Sequence, residues 1–320
     1  MAIDAVLTIA GLALLLAGAW LLVRSASRLA MAFGISPLIV GATVVAFGTS
    51  APEFVVGLVA GIEGKGDLAV GSVFGSNITN VALVLGIAAV IRPMDVHPRL
   101  LRWEMPVLLA ATVAVAALGL TGTIGHVPGA LLFVALLAFI GLSLWLQPNA
   151  AETLAADHVP EPTGKLTRRG MAEQSLLLVL GVGGLALGSD LAVNGATGIA
   201  GRAGISEVAI GVTVVAIGTS LPEILTTAVA ALRGNHDIAL GNVVGSNVFN
   251  LLGVLGLTGA VATLPIDGAL YHFEVPALAV STIVLLALSW TDTRITRWEG
   301  AVLLAAYVAM VTTVLVRGSM

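Results

Sequence analysis

The chain contains no cysteine. That excludes disulfides, thiolate metal centres and thiol nucleophiles. Charge is nearly as scarce. Only 10% of its 320 residues are Asp, Glu, Lys or Arg, against 58% hydrophobic, and the lysines are Lys65 and Lys165 alone. No soluble domain of this length has such a composition. Apolar stretches of about 18 or more residues, the length that crosses a bilayer, account for most of the chain. The five histidines (His97, His126, His158, His236 and His272) all fall in connections or at span ends, so imidazole is missing at membrane depth. Aromatics make up only 5%, and Trp103, Trp145, Trp290 and Trp298 fall near span ends, as an interfacial belt requires. The net charge of −4 says little, because lipid hides most of the surface. The N-terminus, Met-Ala-Ile-Asp, lacks a basic region and a small-residue cleavage site, so a cleaved signal peptide is not expected.

What is present is a polytopic membrane protein. Ten spans are predicted, over about 4–30, 37–61, 68–91, 103–121, 126–146, 174–200, 207–232, 238–263, 272–290 and 297–316. The first and sixth are long, which suits tilting or interfacial ends. Most connections are short. The exception, 147–173, is rich in Pro, Ala and charge and links two halves, 1–146 and 174–320. It is too short for a folded regulatory domain. Eleven Lys and Arg flank the odd-numbered connections: Arg24, Arg28, Arg92, Arg99, Arg102, Lys165, Arg168, Arg169, Arg233, Arg294 and Arg297. Only Lys65, Arg202 and Arg317 fall on the other side. The positive side is cytoplasmic, so both termini are expected outside it.

The two halves repeat each other. Gly41-Ala42-Thr43-Val44-Val45-Ala46-Phe47-Gly48-Thr49-Ser50-Ala51-Pro52-Glu53 returns 170 residues later as Gly211-Val212-Thr213-Val214-Val215-Ala216-Ile217-Gly218-Thr219-Ser220-Leu221-Pro222-Glu223, identical at ten of thirteen positions. The same offset relates Gly34-Ile35-Ser36 to Gly204-Ile205-Ser206, Asp67 to Asp237, Gly75-Ser76-Asn77 to Gly245-Ser246-Asn247, Asn80 to Asn250, and Glu104 and Pro106 to Glu274 and Pro276. An odd number of spans per half makes the second copy enter from the opposite face. The predicted fold class is therefore an all-α membrane protein, with ten transmembrane helices as two inverted five-helix repeats.

A carboxylate inside lipid costs about 2.5–3.5 kcal/mol on insertion scales. Two at matching places, Glu53 and Glu223, point to one site shared between the repeats. Ala46, Thr49, Ser50 and Glu53 lie at i, i+3, i+4 and i+7, one face of a helix; Ala216, Thr219, Ser220 and Glu223 repeat them. Pro52 and Pro222 have no N–H, which frees the carbonyls of Gly48 and Gly218. Ser76 with Asn80, and Ser246 with Asn250, add a second oxygen-bearing wall. The pairs Gly71/Gly75 and Gly241/Gly245 let these helices approach closely. Oxygen ligands without imidazole or thiolate favour hard cations, and Ca²⁺ takes 6–8 oxygens. Any one hydroxyl serves equally well as interhelical glue. Glu104 and Glu274, near span ends, read as interfacial or structural acids, and Asp190, whose repeat mate is Trp20, as a paired or wet side chain. An intramembrane serine hydrolase fits poorly: no His or Lys lies at depth to activate a serine, and neither copy is Gly-x-Ser-x-Gly. A passive channel predicts flux without a counter-ion.

The runs Gly48-Thr-Ser-Ala-Pro-Glu53 with Gly75-Ser-Asn-Ile-Thr-Asn80, and Gly218-Thr-Ser-Leu-Pro-Glu223 with Gly245-Ser-Asn-Val-Phe-Asn250, resemble the two α-repeats of the cation/calcium exchanger superfamily. The chain is most similar to prokaryotic sodium/calcium exchangers, which lack the large cytoplasmic loop of animal exchangers. The resemblance implies exchange of Ca²⁺ for Na⁺ by alternating access, with spans one and six sliding against the rest. It implies that Glu53 and Glu223 hold Ca²⁺ with the backbone carbonyls of Thr49 and Thr219. It implies Na⁺ sites among Ser50, Ser220, Ser76, Ser246, both glutamates and the carbonyls of Ala46 and Ala216, with Asn80 and Asn250 completing the centre. Asn250 departs from the pattern, since well-known members often carry Asp there. That leaves selectivity and stoichiometry open and keeps Ca²⁺/H⁺ exchange, or antiport of another cation, as the alternative. No cofactor, nucleic acid or obligate protein partner is expected. The partners are the bilayer and the transported ions, and the location is the cell membrane, a prokaryotic inner membrane.

Overall fold

The computed structural model describes residues 2–146, 166–203, 216–266 and 268–318. The described chain is helical apart from two short ribbons. In order, the helices are α1 (Ala2–Phe33), α2 (Pro37–Thr49), α3 (Ala51–Ile62), α4 (Gly66–Ile91), α5 (Leu100–Gly119), α6 (His126–Trp145), α7 (Arg168–Arg202), α8 (Ala216–Thr219), α9 (Leu221–Leu232), α10 (His236–Val261), α11 (Gly268–Trp290) and α12 (Arg297–Gly318). Seven of them are long and apolar enough to cross a membrane, and the bent pair α2 and α3 makes an eighth. Where residues are described, the predicted spans fall on these helices, but two of them are interrupted: Ser220 divides the seventh between α8 and α9. The second span is not one straight helix but two segments bent by 50°. The seventh span begins at 207, and its first part, with the Gly211–Val215 stretch and most of the 147–173 linker, lies outside the described residues.

The longest helices, α1 and α7, run antiparallel in close contact. Their sequences carry glycine where the backbones cross. A methyl built on Gly188 would meet Leu15 N at 2.8 Å and Gly11 O at 2.9 Å, and one on Gly181 would meet Leu22 N at 2.8 Å and Gly18 O at 3.0 Å. Without a hydrophobic force between helices in lipid, such small-residue seams supply the van der Waals contact that holds them. The Arg202–Asp4 pair, 2.9 Å, closes one end of the seam.

The middle of the molecule is α4 and α10, and α10 is enclosed along its central length. Gly41 of α2 and Gly241 and Gly245 of α10 bring those two backbones together: a methyl on Gly245 would meet Ala42 O at 2.5 Å. The rim helices α5, α6, α11 and α12 expose large apolar residues such as Val113, Leu131, Val134, Val280 and Val308, as a lipid-facing surface requires. Trp145, Trp290 and Trp298 are exposed at or near helix ends. Two ribbons join the halves. Strand β1 (Met94–Asp95) pairs antiparallel with β4 (Arg294–Ile295), and β2 (Thr123–Ile124) pairs with β3 (Leu264–Pro265). Midway, Thr112 Oγ1 meets its repeat mate Thr282 Oγ1 at 3.1 Å.

Candidate cation site

The site forms where two helices break. After Thr49, Ser50 leaves helical geometry (φ −82°, ψ 7°), and α3 starts again at Ala51. Pro52 is its second residue, a position where a missing N–H costs nothing, and Glu53 is its third. Ser220 (φ −88°, ψ 3°), Pro222 and Glu223 repeat this at the start of α9. Each glutamate therefore stands in the first turn of a helix, where free N–H groups favour negative charge. The sequence placed Ala46 to Glu53 on one face of a single helix. Instead the break at Ser50 divides them, with Thr49 ending one helix and Glu53 opening the next.

The opposite wall comes from α4 and α10. Both helices widen into a π-helical turn at the site, over Asn80–Val84 and Phe249–Val254. Such turns add a residue to the helix and often mark functional positions. They re-aim Asn80 and Asn250 relative to Ser76 and Ser246.

These residues converge. Ser50 Oγ donates to Glu223 Oε1 at 2.9 Å, which ties the two glutamate-bearing breaks together. Thr49 Oγ1 lies 3.0 Å from Asn242 Oδ1 and 3.4 Å from Ser246 Oγ. Asn250 Nδ2 donates to Ser76 Oγ at 2.9 Å, and Asn80 Nδ2 to Asn247 Oδ1 at 3.0 Å. Glu53, Glu223, Thr49, Ser50, Ser220, Ser76, Ser246, Asn80 and Asn250 are all buried, while Thr219 is half-buried. Ala46 O accepts from Ser50 N (2.9 Å) and Thr49 Oγ1 (3.2 Å). Ala216 contributes backbone at the start of α8.

The oxygens outnumber their donors. Both carboxylate oxygens of Glu53, Glu223 Oε2, Ser220 Oγ, Asn80 Oδ1 and Asn250 Oδ1 are buried with no hydrogen-bond partner among the described residues. Leaving one polar group buried and unpaired costs about 1–3 kcal/mol. Six such oxygens close together make this the candidate place for a positively charged ligand.

One expectation changes in detail. The freed carbonyl of Gly218 is taken by the protein itself, because Ser189 Oγ of α7 donates to it at 2.7 Å. The matching position on α1 is Ala19, which has no hydroxyl, so the two copies differ here. Glu104 lies apart from the site, fully buried and paired with Arg99 at 3.2 Å. Arg99 also donates to the carbonyls of Ser143 and Leu146, which makes Glu104 structural. Asp190 is exposed on α7.

Three residues at the site escaped the sequence reading: Asn242, Thr226 and Thr227. Asn242 bridges Thr49 and Thr227, donating to Thr227 Oγ1 at 2.9 Å. Thr226 Oγ1 is buried without a partner among the described residues. Their repeat mates are Ser72, Val56 and Gly57, so the duplication carried no signal for them.

The model of the sodium/calcium exchanger protein family matches residues 3–145 and again 174–316, nearly the whole of both halves. The chain belongs to the sodium/calcium exchanger protein family. It is 36% identical to the putative antiporter CaxA of Alkalimonas amylolytica, over 96% of this chain and 97% of that one. It is 30% identical to the sodium/calcium exchanger MaX1 of Methanosarcina acetivorans, over 93% and 95%. Its fold superposes on a solved structure of the sodium-calcium exchanger NCX_Mj with a TM-score of 0.84 and 28% identity, covering 97% of this chain and 98% of that one. This exchanger is accordingly a multi-pass membrane antiporter of Ca²⁺ and other cations, and its family is one of transporters.

Proposed function

We propose that the chain exchanges Ca²⁺ for Na⁺ by alternating access at the site between Glu53 and Glu223. The observation that carries this reading is the set of six unpartnered buried oxygens around two carboxylates. Ca²⁺ takes 6–8 oxygens, and two negative charges balance one Ca²⁺ or two monovalent ions. In this reading Glu53 and Glu223 hold Ca²⁺ together with the carbonyls of Thr49 and Thr219. Ser50, Ser220, Ser76, Ser246, Asn80, Asn250 and the carbonyls of Ala46 and Ala216 supply Na⁺ positions that use the same glutamates. Both ions then compete for one set of oxygens, and occupancy by one expels the other.

The reading includes two inverted five-helix halves, 1–146 and 174–320, joined by 147–173. Three observations support it. The repeat mates α1 and α7 run antiparallel, and their glycines cross over: Gly11 meets Gly188, and Gly18 meets Gly181. The mates Thr112 and Thr282 touch. The ribbon partners are β1 with β4 and β2 with β3, although β1 and β3 occupy equivalent places in the repeats. Since α5 separates β1 from β2, mates β1 and β3 fall at opposite ends, as inversion requires. Ten spans follow when α8 with α9, and α12, are counted with the others. The charge bias in the connections puts both termini outside the cytoplasm. The glycine seam suits α1 and α7 to move as one pair against α4 and α10.

The test is ⁴⁵Ca²⁺ uptake by purified protein in liposomes loaded with Na⁺, or with K⁺ or choline, at symmetric pH. Uptake only with internal Na⁺ is expected. Uptake that ignores Na⁺ and follows a pH gradient assigns H⁺ as the coupling ion and overturns the Na⁺ reading.

Asn250 gives a sharper test of the Na⁺ positions. Its Nδ2 donates to Ser76, leaving Oδ1 toward the site. In Asn250→Asp that contact reverses, with Ser76 as donor to a third acid. The Na⁺ concentration for half-maximal exchange should shift by on the order of tenfold, and a new proton dependence should appear, because an added charge acts strongly in a buried site. Unchanged Na⁺ dependence and pH profile would remove Asn250 from the Na⁺ site.

A further inference from the structure

Away from the cation site, two arginines lie over one tryptophan and a third stands close to them. The guanidinium of Arg24 lies 4.8 Å from the Trp20 ring centroid, and that of Arg233 lies 5.2 Å from the same ring. Trp20 and Arg24 belong to α1, whereas Arg233 follows the last residue of α9. The two elements are held together by Asn235 Nδ2, which donates to Ser27 Oγ at 3.2 Å. Arg28 stands one turn beyond Arg24. Burial, then the charges of Arg24 and Arg28, press the Arg233 pKa below its ordinary value.

Like charges do not collect without cause. Among the described residues, none of Arg24, Arg28 and Arg233 forms an ion pair, although Arg99, Arg202 and Arg294 each find a carboxylate. The nearby acid Asp95 is engaged by His236 at 3.6 Å and by Arg294 at 3.4 Å. Arg92 reaches the same neighbourhood, beside Gly234.

The surface leading to the cluster is apolar. Leu12, Leu16, Trp20, Arg24 and Arg28 follow one i, i+4 ridge winding along α1. The first three are exposed large hydrophobics, and Leu232 of α9 is exposed beside Arg233. The ridge thus passes from hydrocarbon-like to cationic across Trp20, a residue type that favours the lipid–water boundary. A free anion would use only the arginines; a lipid would use the arginines and the apolar ridge together.

We propose that Arg24 and Arg233, held over Trp20, bind with Arg28 the phosphoryl headgroup of an anionic phospholipid whose acyl chain lies along Leu12 and Leu16. Basic pockets between membrane helices take such headgroups, and guanidinium matches phosphate geometry. Because the site joins α1 to the end of α9, bound lipid ties the seam helix to the carboxylate-bearing helix of the second repeat.

The test is lipid retention by the detergent-purified protein, read by native mass spectrometry after incubation with phosphatidylglycerol or phosphatidylcholine. The wild type should retain phosphatidylglycerol about tenfold more than phosphatidylcholine. Arg28→Gln and Arg233→Gln should each lower that retention on the order of fivefold, and the triple glutamine variant with Arg24 further, since each surface arginine acts nearly independently on an anionic lipid. The single variants change exposed residues and keep the test open where the triple variant does not fold. Arg297→Gln, a charge removed elsewhere, should change nothing. Equal retention of the two lipids by the wild type, or unchanged retention by the single variants, overturns the proposal. Displacement by millimolar inorganic phosphate would assign the cluster to a free anion and overturn the lipid assignment. This readout involves no transport, so it stands or fails independently of the coupling ion.

Discussion

Glu53→Gln and Glu223→Gln should each lower Ca²⁺ exchange in reconstituted vesicles by at least about 100-fold, because each leaves one carboxylate facing a divalent ion in a buried site. The protein should remain folded. Both Glu53 oxygens are without a protein donor among the described residues, so the amide breaks no hydrogen bond and removes a buried charge whose desolvation opposes folding. Glu223 differs, because Ser50 donates to its Oε1. Glutamine can keep that contact through its own carbonyl oxygen. Thermal unfolding with and without Ca²⁺ separates the effects. The wild type should gain stability with Ca²⁺, as any ligand of the native state stabilises it. Both variants should unfold at or above the wild-type temperature without Ca²⁺ and gain little from it. A variant that keeps the wild-type Ca²⁺ response would place its glutamate outside the site.

Much of this arrangement was legible because the chain states it twice. One acid in an apolar span is an oddity, but two at a constant offset, each after Thr-Ser-x-Pro, point to a candidate site from sequence alone. That the chain is a many-helix membrane protein was legible from composition, since a chain with so few charges leaves its helices little choice. Three features were not legible, for separate reasons. Proline pointed to a weakened helix, but whether the chain bends at Gly48 or at Ser50 depends on what packs around the break, and Val182 lies against Gly48. The π-helical turns at Asn80 and Phe249 have no composition of their own, because the extra residue is accommodated by neighbouring helices. Asn242 was hidden by the very signal that revealed the rest. Its mate is Ser72, so reading by symmetry passes over the residue that holds Thr49. The asymmetries, Ser189 against Ala19 and Asn242 against Ser72, lie where the two repeats have diverged in the groups around the candidate ligands rather than in the candidate ligands themselves.

That support makes Gly245 a residue whose smallest change should damage both packing and exchange. In Gly245→Ala the new methyl would stand 2.5 Å from Ala42 O, 2.6 Å from its Cα and 2.7 Å from its C. All three are backbone atoms, which have no rotamer to yield. Helices α2 and α10 must therefore separate, and overpacking of this kind costs about 1–3 kcal/mol. The separation falls on the contacts that cross between them, Thr49 with Asn242 at 3.0 Å and with Ser246 at 3.4 Å. Exchange should fall at least about tenfold, and unfolding should come at a lower temperature. Gly183→Ala is the matched comparison: nothing lies within 4 Å of its added methyl, and alanine in a helix interior should stabilise by about 0.5–1 kcal/mol. The pattern differs from that of the glutamates. Glu53→Gln separates binding from folding, whereas Gly245→Ala should lower both together, since the crossing that allows the helices to pack is the one that brings the oxygens within reach of an ion. A Gly245→Ala protein with wild-type stability and exchange would show that the α2–α10 crossing yields easily and that the site is held by other contacts.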